Sequence, residues 1–444
     1  MTGIGPGFLM TKTGEKSIPP VAWIPTAYFA MGLPFIALAQ ASTLMFKNMG
    51  VTDTKIAFWT SAIMMPWTLK PLWSPVLEMF RTKKYFVVIT QVITGVVFAL
   101  TAFSLQLPDF FAYAIGLLAV IALSGSTHDI ATDGLYMDVL DAKGQAKYIG
   151  WQGAAYNLAK ILVGGAFIYI AGQLEEKLGI VQAWTVVMGT FSALMIAIGF
   201  YHSRILPAGK TAEGVQTFRE GIDTLLKVLK GFFTKKYAWV YVGFILLYRF
   251  AEGFAIKIVQ LFFKAPVSEG GLGLTTSEIG LVYGVFGAAA FVIGSLLAGY
   301  VIAAKGLKKT LFIMCCCLNL PFLGYAALAI FQPGNIYLVG LAAVTDYFGY
   351  GFGFVGLILF MMQQVAPGPY KMAHYAFASG IMNLGFMLPA MVSGYLSDWL
   401  GYKNFFIWVL IATIPSLLAA WFVPFAHPGP IETRKNEMTK TKEI

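Results

Sequence analysis

Residues 110–139 read FFAYAIGLLAVIALSGSTHDIATDGLYMDV, and this stretch decides the class of fold. At 1.5 Å per residue, a helix of about 20 apolar residues crosses the hydrocarbon core of a bilayer. The stretch is longer than that and contains no lysine or arginine. It also lacks the strict alternation of polar and apolar residues that marks a strand of a membrane barrel. It therefore predicts a membrane-spanning helix.

Segments of the same kind occur along the whole chain, and the stretch above is the fourth. The predicted spans are residues 21–46, 56–77, 85–105, 110–139, 148–171, 182–201, 237–263, 277–302, 310–331, 336–363, 373–396 and 405–425. The sequence therefore predicts an all-α membrane protein with twelve transmembrane helices.

The composition agrees with a protein whose solvent is lipid. Hydrophobic residues make up 58% of the 444 residues and charged residues only 12%, whereas a soluble domain is usually about one quarter charged. The net charge of +10 lies in the loops between apolar runs, so we expect no nucleic-acid partner. No P-loop, metal-ligand cluster or nucleophile triad occurs. We therefore expect no enzyme activity and no cofactor.

The lysines and arginines indicate the orientation in the membrane. With the N-terminus inside, the loops on the outer side hold only Lys47, Lys55, Lys177, Lys264 and Lys403. Cytoplasmic loops are enriched in these residues, so both termini are expected in the cytoplasm. The first span is too long for a signal peptide and no small-residue cleavage site ends it, so we expect it to be retained.

A long polar break after six spans divides the chain. The predicted units are residues 1–205, a linker at 206–236, residues 237–425 and a cytoplasmic tail at 426–444. Apolar residues recur through 215–233 at helical spacing, with lysines between and beyond them. This pattern predicts an amphipathic helix on the inner membrane surface. A partner-binding helix is the alternative.

The two halves echo each other in sequence. The ends of helix five (164–179) and helix eleven (393–401) both run from small residues through a polar turn to Leu-Gly, just before the next helix. This repetition predicts two pseudo-symmetric six-helix halves, with a solute site between them near the middle of the membrane.

Helix four contains the most polar stretch of any predicted span, at residues 124–134. An ionisable group at membrane depth costs at least about 2.5–3.5 kcal/mol unless it is paired or hydrated, so such groups are candidates for function. Asp129 and Asp133 are four residues apart and share a helix face. Both are candidate proton carriers, and His128 is a candidate solute ligand.

Helix five supplies four more candidate solute ligands, which are Gln152, Tyr156, Asn157 and Lys160. Counted back from the loop that joins helices four and five, Asp129 lies about 18 Å deep and Lys160 about 20 Å deep. We therefore expect an Asp129–Lys160 ion pair facing the central cavity. The alternative is that Lys160 only neutralises a buried aspartate and fastens the two helices together.

Helix seven carries Arg249 and Glu252, three residues apart on one face. Arg249 can hold a solute carboxylate through two hydrogen bonds, and Glu252 is a third candidate for proton coupling. A local salt bridge between these two residues is the alternative interpretation.

Three further ionisable residues are candidates for gating. Lys70 lies among three prolines, which predict a broken end of helix two. It can pair with Glu78 or with an aspartate of helix four, and Asp138 lies near the inner end of helix four. A structural role is the alternative for these residues. His374 is interpreted as a packed or interfacial histidine.

Five stretches occur together in order over nearly the whole chain. They are YFAMGLP at 28–34, PWTLKPLWSP at 66–75, HDIATDGLYMDVL at 128–140, YAFAS at 375–379 and SGYLSDWLG at 393–401. In these stretches the chain resembles the AmpG-like muropeptide permeases of the major facilitator superfamily. The resemblance implies the major facilitator fold and a place in the bacterial inner membrane. It also implies that Asp129 matches the acidic residue of the family's helix-four motif.

The resemblance implies a symporter, which imports amino-sugar-containing cell-wall fragments into the cytoplasm and is driven by the proton gradient. The partners would be a small-molecule solute, protons and the lipid bilayer; no oligomeric state is inferred. The chain departs from the family pattern at His128, at 133–136 and near Asn157, which all fall in the expected cavity. A siderophore or another small organic anion is therefore an alternative solute. A membrane sensor without transport is a further alternative, which the buried charges disfavour.

Overall fold

A computed structural model describes residues 18–73, 77, 82–140, 142–209, 218–368 and 371–427. Every regular element within these ranges is a helix. Glu78 and nearly all of the predicted cytoplasmic tail lie outside them.

The first half of the chain forms six helical segments, two of which contain π-helical turns. α1 spans Pro20–Asn48 with a π turn at Ala37–Ala41. α2 is broken into Asp53–Ala62, Met65–Leu69 and the 3-10 turn Lys70–Leu72, since prolines interrupt its hydrogen bonds. The others are α3 (Lys83–Ser104), α4 (Phe110–Val139), α5 (Ala142–Ile161, π turn Leu162–Ala166, then Phe167–Leu178) and α6 (Ile180–Ile205).

The second half forms the corresponding set. α7 consists of Ala238–Tyr248 and Phe250–Lys264, interrupted at Arg249, whose φ is −107° and ψ 17°. α8 spans Thr276–Lys305, with a π turn at Gly280–Phe286. α9 is Leu307–Phe331 and α10 is Ile336–Val365. A last helix, Lys371–Phe422, is divided at Gly401 into α11 before it and α12 after it.

The spans that qualify as membrane-crossing agree with the sequence analysis. Nine helices in the described ranges are long and apolar enough to cross a membrane, and one of these contains both α11 and α12. The remaining two segments, α2 and α7, are interrupted helices. This architecture is consistent with the twelve predicted spans.

The Leu-Gly pattern repeated in the two halves corresponds to the same backbone conformation at two interhelical turns. Gly179, between α5 and α6, has φ 84° and ψ 163°, and Gly401, between α11 and α12, has φ 70° and ψ 157°. Residues with a side chain rarely adopt a φ of this sign, so glycine permits both sharp joints.

Helix packing repeats in the two halves. α1 packs along α5, and α7 packs along α11 in the same relation. α3 lies between α4 and α6, and α9 likewise contacts both α10 and α12. The halves contact each other where α2 packs on α11 and α5 packs on α8. These contacts hold the two halves side by side, so that helices of both halves face the space between them.

The linker contains the predicted helix, at Phe218–Phe233. Val228 and Phe232 are buried, and the Phe232 ring lies 4.8 Å from that of Phe377 in α11. His374 is also buried, with Nε2 3.1 Å from the carbonyl oxygen of Val228. One face of the helix therefore packs on the second half, and His374 is a packed residue as predicted. Leu226, in contrast, is 57% exposed.

Candidate functional site

The two halves are bonded together at the end of the bundle where α1 ends and α2 begins, which we call the closed end. The Thr54 hydroxyl donates to Asp398 Oδ2 over 2.5 Å, joining α2 to α11. The Tyr402 hydroxyl of α12 donates to Asp53 Oδ2 over 2.6 Å. Lys47 Nζ lies 2.7 Å from the other oxygen of Asp53. A charged network therefore joins the halves on this side of the closed end.

A second network joins α1, α5 and α8 at the same end. The Thr276 hydroxyl donates to Glu175 Oε2 over 2.7 Å and accepts hydrogen bonds from Asn48 Nδ2 at 2.8 Å and Lys264 Nζ at 3.1 Å. Gln173 also donates across the halves, to the hydroxyl of Ser277. These bonds close the second side of the interface.

Below these networks, the π turns of α5 and α8 cross backbone to backbone. A Cβ atom added to Gly284 would lie 1.9 Å from the carbonyl oxygen of Gly164. No side chain fits there, so the close approach of the two halves depends on this glycine.

The closed end caps a cavity of about 410 Å³ between the halves. Helices of both halves supply its walls, and Phe35, Trp67, Tyr156, Tyr283, Phe291, Tyr347 and Tyr350 are among its aromatic residues. Its polar lining includes Gln40, Asn157, Lys160, Arg249, Glu252, Lys257, Gln260, Asp346 and Asn383. A larger crevice of about 760 Å³ lies between α9 and α10, and its lining contains no Lys, Arg, His, Asp or Glu. The central cavity is therefore the candidate site.

Arg249 and Glu252 form a buried salt bridge in the cavity wall. Arg249 Nε lies 2.7 Å from Glu252 Oε2, and Nη2 lies 2.6 Å from Oε1. Nη2 also donates to the Tyr350 hydroxyl at 3.3 Å. The local salt bridge, the second interpretation from sequence, is thus formed. The guanidinium is already neutralised and is not free to hold a solute carboxylate in this conformation.

Lys160 reaches from α5 of the first half toward aromatic rings of the second. Its Nζ atom lies 3.8 Å from the centroid of the Phe291 ring, 5.3 Å from that of Tyr350 and 5.5 Å from that of Tyr347. Cations are attracted to the faces of such rings. In the described part of the chain Lys160 belongs to no ion pair.

The predicted Asp129–Lys160 ion pair is therefore wrong for this structure. Asp129 is 8% exposed, and its Oδ2 accepts a hydrogen bond from the indole nitrogen of Trp67 at 2.9 Å. Depth along a helix gives the height of a residue but not its direction. Trp67, in the broken segment of α2, forms the cavity wall beside Asp129.

The other acidic residue of the helix-four motif is also bonded within the first half. The Tyr28 hydroxyl donates to Asp133 Oδ1 over 2.9 Å. Lys70, the other predicted partner for these aspartates, forms no ion pair within the described ranges.

The remaining gating candidates are only partly described. Asp138 forms an ion pair with Lys83 of α3, with 2.9 Å between Oδ2 and Nζ. Glu78 lies outside the described residues. A gating role for Lys70, Glu78 and Asp138 stays a prediction.

The candidate solute ligands of α4 and α5 occupy different places. Tyr156 and Asn157 line the cavity, whereas His128 and Gln152 are not part of its lining. His128 is 1% exposed, and its Nε2 lies 2.9 Å from Gln91 Nε2. Gln91 in turn contacts a ring nitrogen of His202 at 2.8 Å. His128 therefore belongs to a buried polar network inside the first half.

Three cavity residues received no role from the sequence. Asp346 of α10 accepts a hydrogen bond from the Tyr325 hydroxyl at 2.8 Å. An acidic residue inside a predicted span was the signal that could have found it. Lys257 is also an ionisable residue inside a predicted span, so the same signal could have found it. Trp67 carried no such signal, because tryptophan is common in apolar segments.

The comparisons with known proteins agree with this architecture. The sequence profile of the Major Facilitator Superfamily matches residues 22–373. The anhydromuropeptide permease of Escherichia coli K12 is 23% identical over 404 residues, covering 88% of this chain and 77% of that protein. An uncharacterized protein of Haemophilus influenzae is 22% identical over 434 residues, covering 94% and 95% of the two chains.

A solved structure shares the fold at low sequence identity. The D-xylose-proton symporter superposes with a TM-score of 0.69 at 13% identity, over 91% of this chain and 97% of the other. The family profile, together with the apolar spans, identifies the chain as a multi-pass membrane carrier rather than an enzyme. It belongs to the Major Facilitator Superfamily, and its sequence is similar to those of AmpG-like permeases.

Proposed function

We propose that this protein is a proton-coupled secondary importer, which carries muropeptides or other amino-sugar-containing solutes across the bacterial inner membrane by alternating access. The central cavity carries this proposal, because it lies between the two halves and is capped at one end. A carrier of this fold exposes such a site to each side in turn by rocking its halves. The cavity combines aromatic rings with amide and charged groups, which suits a polar solute with apolar faces.

The orientation follows from the distribution of lysine and arginine. With both termini in the cytoplasm, the closed end faces the periplasm and the solute leaves toward the cytoplasm. Import then requires the networks around Thr54–Asp398 and Glu175–Thr276 to open before the solute can enter.

The name of the E. coli relative supports the solute class, and the cavity supplies matching chemistry. Aromatic side chains such as Tyr156, Phe291 and Tyr350 can pack against sugar rings, while Asn157 and Lys160 offer hydrogen bonds. Arg249 is held in the cavity wall by its salt bridge with Glu252 in this conformation. His128 and Gln152 would contact a solute only after a rearrangement of the first half.

Proton coupling is assigned to Asp129, Asp133 and Glu252. Each carboxyl group accepts a hydrogen bond. Two of the donors, Trp67 and Arg249, line the cavity, and the third, Tyr28, is buried in the first half. Protonation of a carboxylate weakens such a bond, because a charged acceptor binds more strongly than a neutral one. A proton bound at one of these residues would thereby change the packing of the wall.

Uptake by purified protein in proteoliposomes tests the proposal. The radiolabelled disaccharide of N-acetylglucosamine and anhydro-N-acetylmuramic acid is supplied outside, with and without its peptide, under an imposed pH gradient. We expect accumulation that an uncoupler abolishes. Folded protein that accumulates neither compound would contradict the solute class, and a siderophore or another organic anion would be tested next.

A further inference from the structure

Lys257 connects the second half to the backbone of the first. Its ammonium group donates to the carbonyl oxygen of Ala39 at 2.6 Å and to the hydroxyl of Thr43 at 3.3 Å. Ala39 belongs to the π turn of α1, and Lys257 lies in the second segment of α7. π turns within helices frequently occur at functional sites.

The partners of Lys257 are unusual for a buried cation. Lys257 is 6% exposed, and no ion pair in the described part of the chain includes it. Its bonds are to neutral oxygens only. A buried ammonium group is expensive unless a negative charge compensates it. In the described part of the chain, the Lys257 ammonium group therefore has no counter-ion. An acidic solute can supply one.

Gln260 adds a second observation at the same place. It lies three residues after Lys257 on α7, is 2% exposed and lines the same cavity. Its Oε1 atom is buried and has no hydrogen-bond partner in the described structure. An acceptor in this situation costs free energy until a donor reaches it. A solute hydroxyl or amide N–H is such a donor.

We propose that Lys257 and Gln260 form a solute-binding site, in which a carboxylate of the solute replaces the Ala39 carbonyl on the lysine ammonium. A hydroxyl or amide N–H of the same solute donates to Gln260. The inference rests on the proposed carrier function and deepens it by assigning acidic solutes to this wall. The replacement is favourable because a hydrogen bond between two charged groups is stronger than one to a neutral carbonyl.

The replacement also weakens the link between α1 and α7. Without a solute, Lys257 tethers the π turn of α1 to the second half, just below the closed end. When an acidic solute takes the ammonium group, one cross-half bond is lost. Binding of the solute thereby favours the separation of the halves.

Binding to the purified full-length protein tests the site with a matched pair of sugars. N-acetylmuramic acid and N-acetylglucosamine differ by one lactyl group, which carries a carboxylate. We expect N-acetylmuramic acid to bind the wild type in calorimetric titration and to bind Lys257→Gln about tenfold more weakly or worse. Lys177→Gln, which removes an exposed charge at the far end of α5, is the control and should bind like the wild type. Unchanged affinity in Lys257→Gln would overturn the site.

A second measurement does not depend on the identity of the solute. Ser277 is buried at the closed end, so a Ser277→Cys protein with the native cysteines replaced reports opening through labelling by a membrane-impermeant maleimide. We expect severalfold faster labelling when Lys257→Met removes the tether. If the wild type binds neither sugar, the amino-sugar part of the proposed function fails. The labelling rates still show whether Lys257 holds the two halves together. Equal labelling rates with and without Lys257→Met would contradict the role of Lys257 in holding the halves together.

Discussion

The indole N–H of Trp67 donates a hydrogen bond to the carboxylate of Asp129 over 2.9 Å, and the same side chain lines the central cavity. Asp129 itself is buried and is not part of the cavity lining. Trp67 lies in the short segment Met65–Leu69, between two interruptions of α2. A change in the charge of Asp129 can therefore reach the cavity through the side chain of Trp67, which lies on a short helical segment.

Trp67→Phe tests this connection, since it keeps an aromatic ring and removes only the N–H donor. A hydrogen bond to a charged group contributes about 1.5–3 kcal/mol, so gradient-driven uptake should fall about tenfold or more. Solute exchange without a gradient should change much less. Trp59→Phe is the control, because Trp59 is 44% exposed. Equal losses in both modes of transport would assign Trp67 to solute binding instead.

Asp129→Asn tests the proton site directly. The amide keeps the shape of the carboxyl group and can still accept from Trp67, but it cannot take up a proton. We expect uptake driven by a pH gradient to be abolished, while exchange between labelled and unlabelled solute persists. Asp109→Asn changes an exposed residue ahead of α4 and should leave both activities intact. Normal gradient-driven accumulation by Asp129→Asn would remove this residue from the coupling mechanism.

The Arg249–Glu252 salt bridge makes a prediction about stability. Removing one member of a buried ion pair costs about 3–5 kcal/mol, because the other charge is left uncompensated. Glu252→Gln should therefore lower the melting temperature of the detergent-purified protein markedly. The double variant Arg249→Met with Glu252→Gln should recover part of the loss. A double variant less stable than Glu252→Gln would contradict the view that the pair mainly compensates charge.

Gly284 makes a prediction about the closed end. A methyl group there would lie 1.9 Å from the carbonyl oxygen of Gly164, so Gly284→Ala must push the two π turns apart. We expect faster maleimide labelling of Ser277→Cys in this background and slower transport. Gly299→Ala is the control in the same helix, because no atom lies within 4 Å of its added Cβ. Labelling at the same rate in both variants would show that the closed end tolerates the methyl group.

The helices could be predicted from sequence because the bilayer imposes a length and a composition on each span. The repeated Leu-Gly in the sequence marked the positions of Gly179 and Gly401, where the backbone turns sharply between two helices. The π turns of α1, α5 and α8 were not predictable from apolar runs, because they change the hydrogen-bond register without changing composition.

The site was predictable in part. Polar residues at membrane depth were the signal that singled out Asn157, Lys160, Arg249 and Glu252, and all four line the cavity. Their roles in binding and coupling stay predictions. Their partners were not predictable, because spacing along one helix does not say which neighbouring helix a side chain faces. Lys160 faces aromatic rings of the opposite half rather than the aspartate at the same depth.

The most direct test of the account measures protons and solute together. Proteoliposomes loaded with a pH-sensitive dye receive the N-acetylglucosaminyl anhydromuramyl disaccharide outside, with no imposed gradient. Symport predicts that solute entry acidifies the interior of wild-type vesicles, while Asp129→Asn vesicles show no acidification. Wild-type protein that takes up the disaccharide with no change in internal pH would contradict proton coupling.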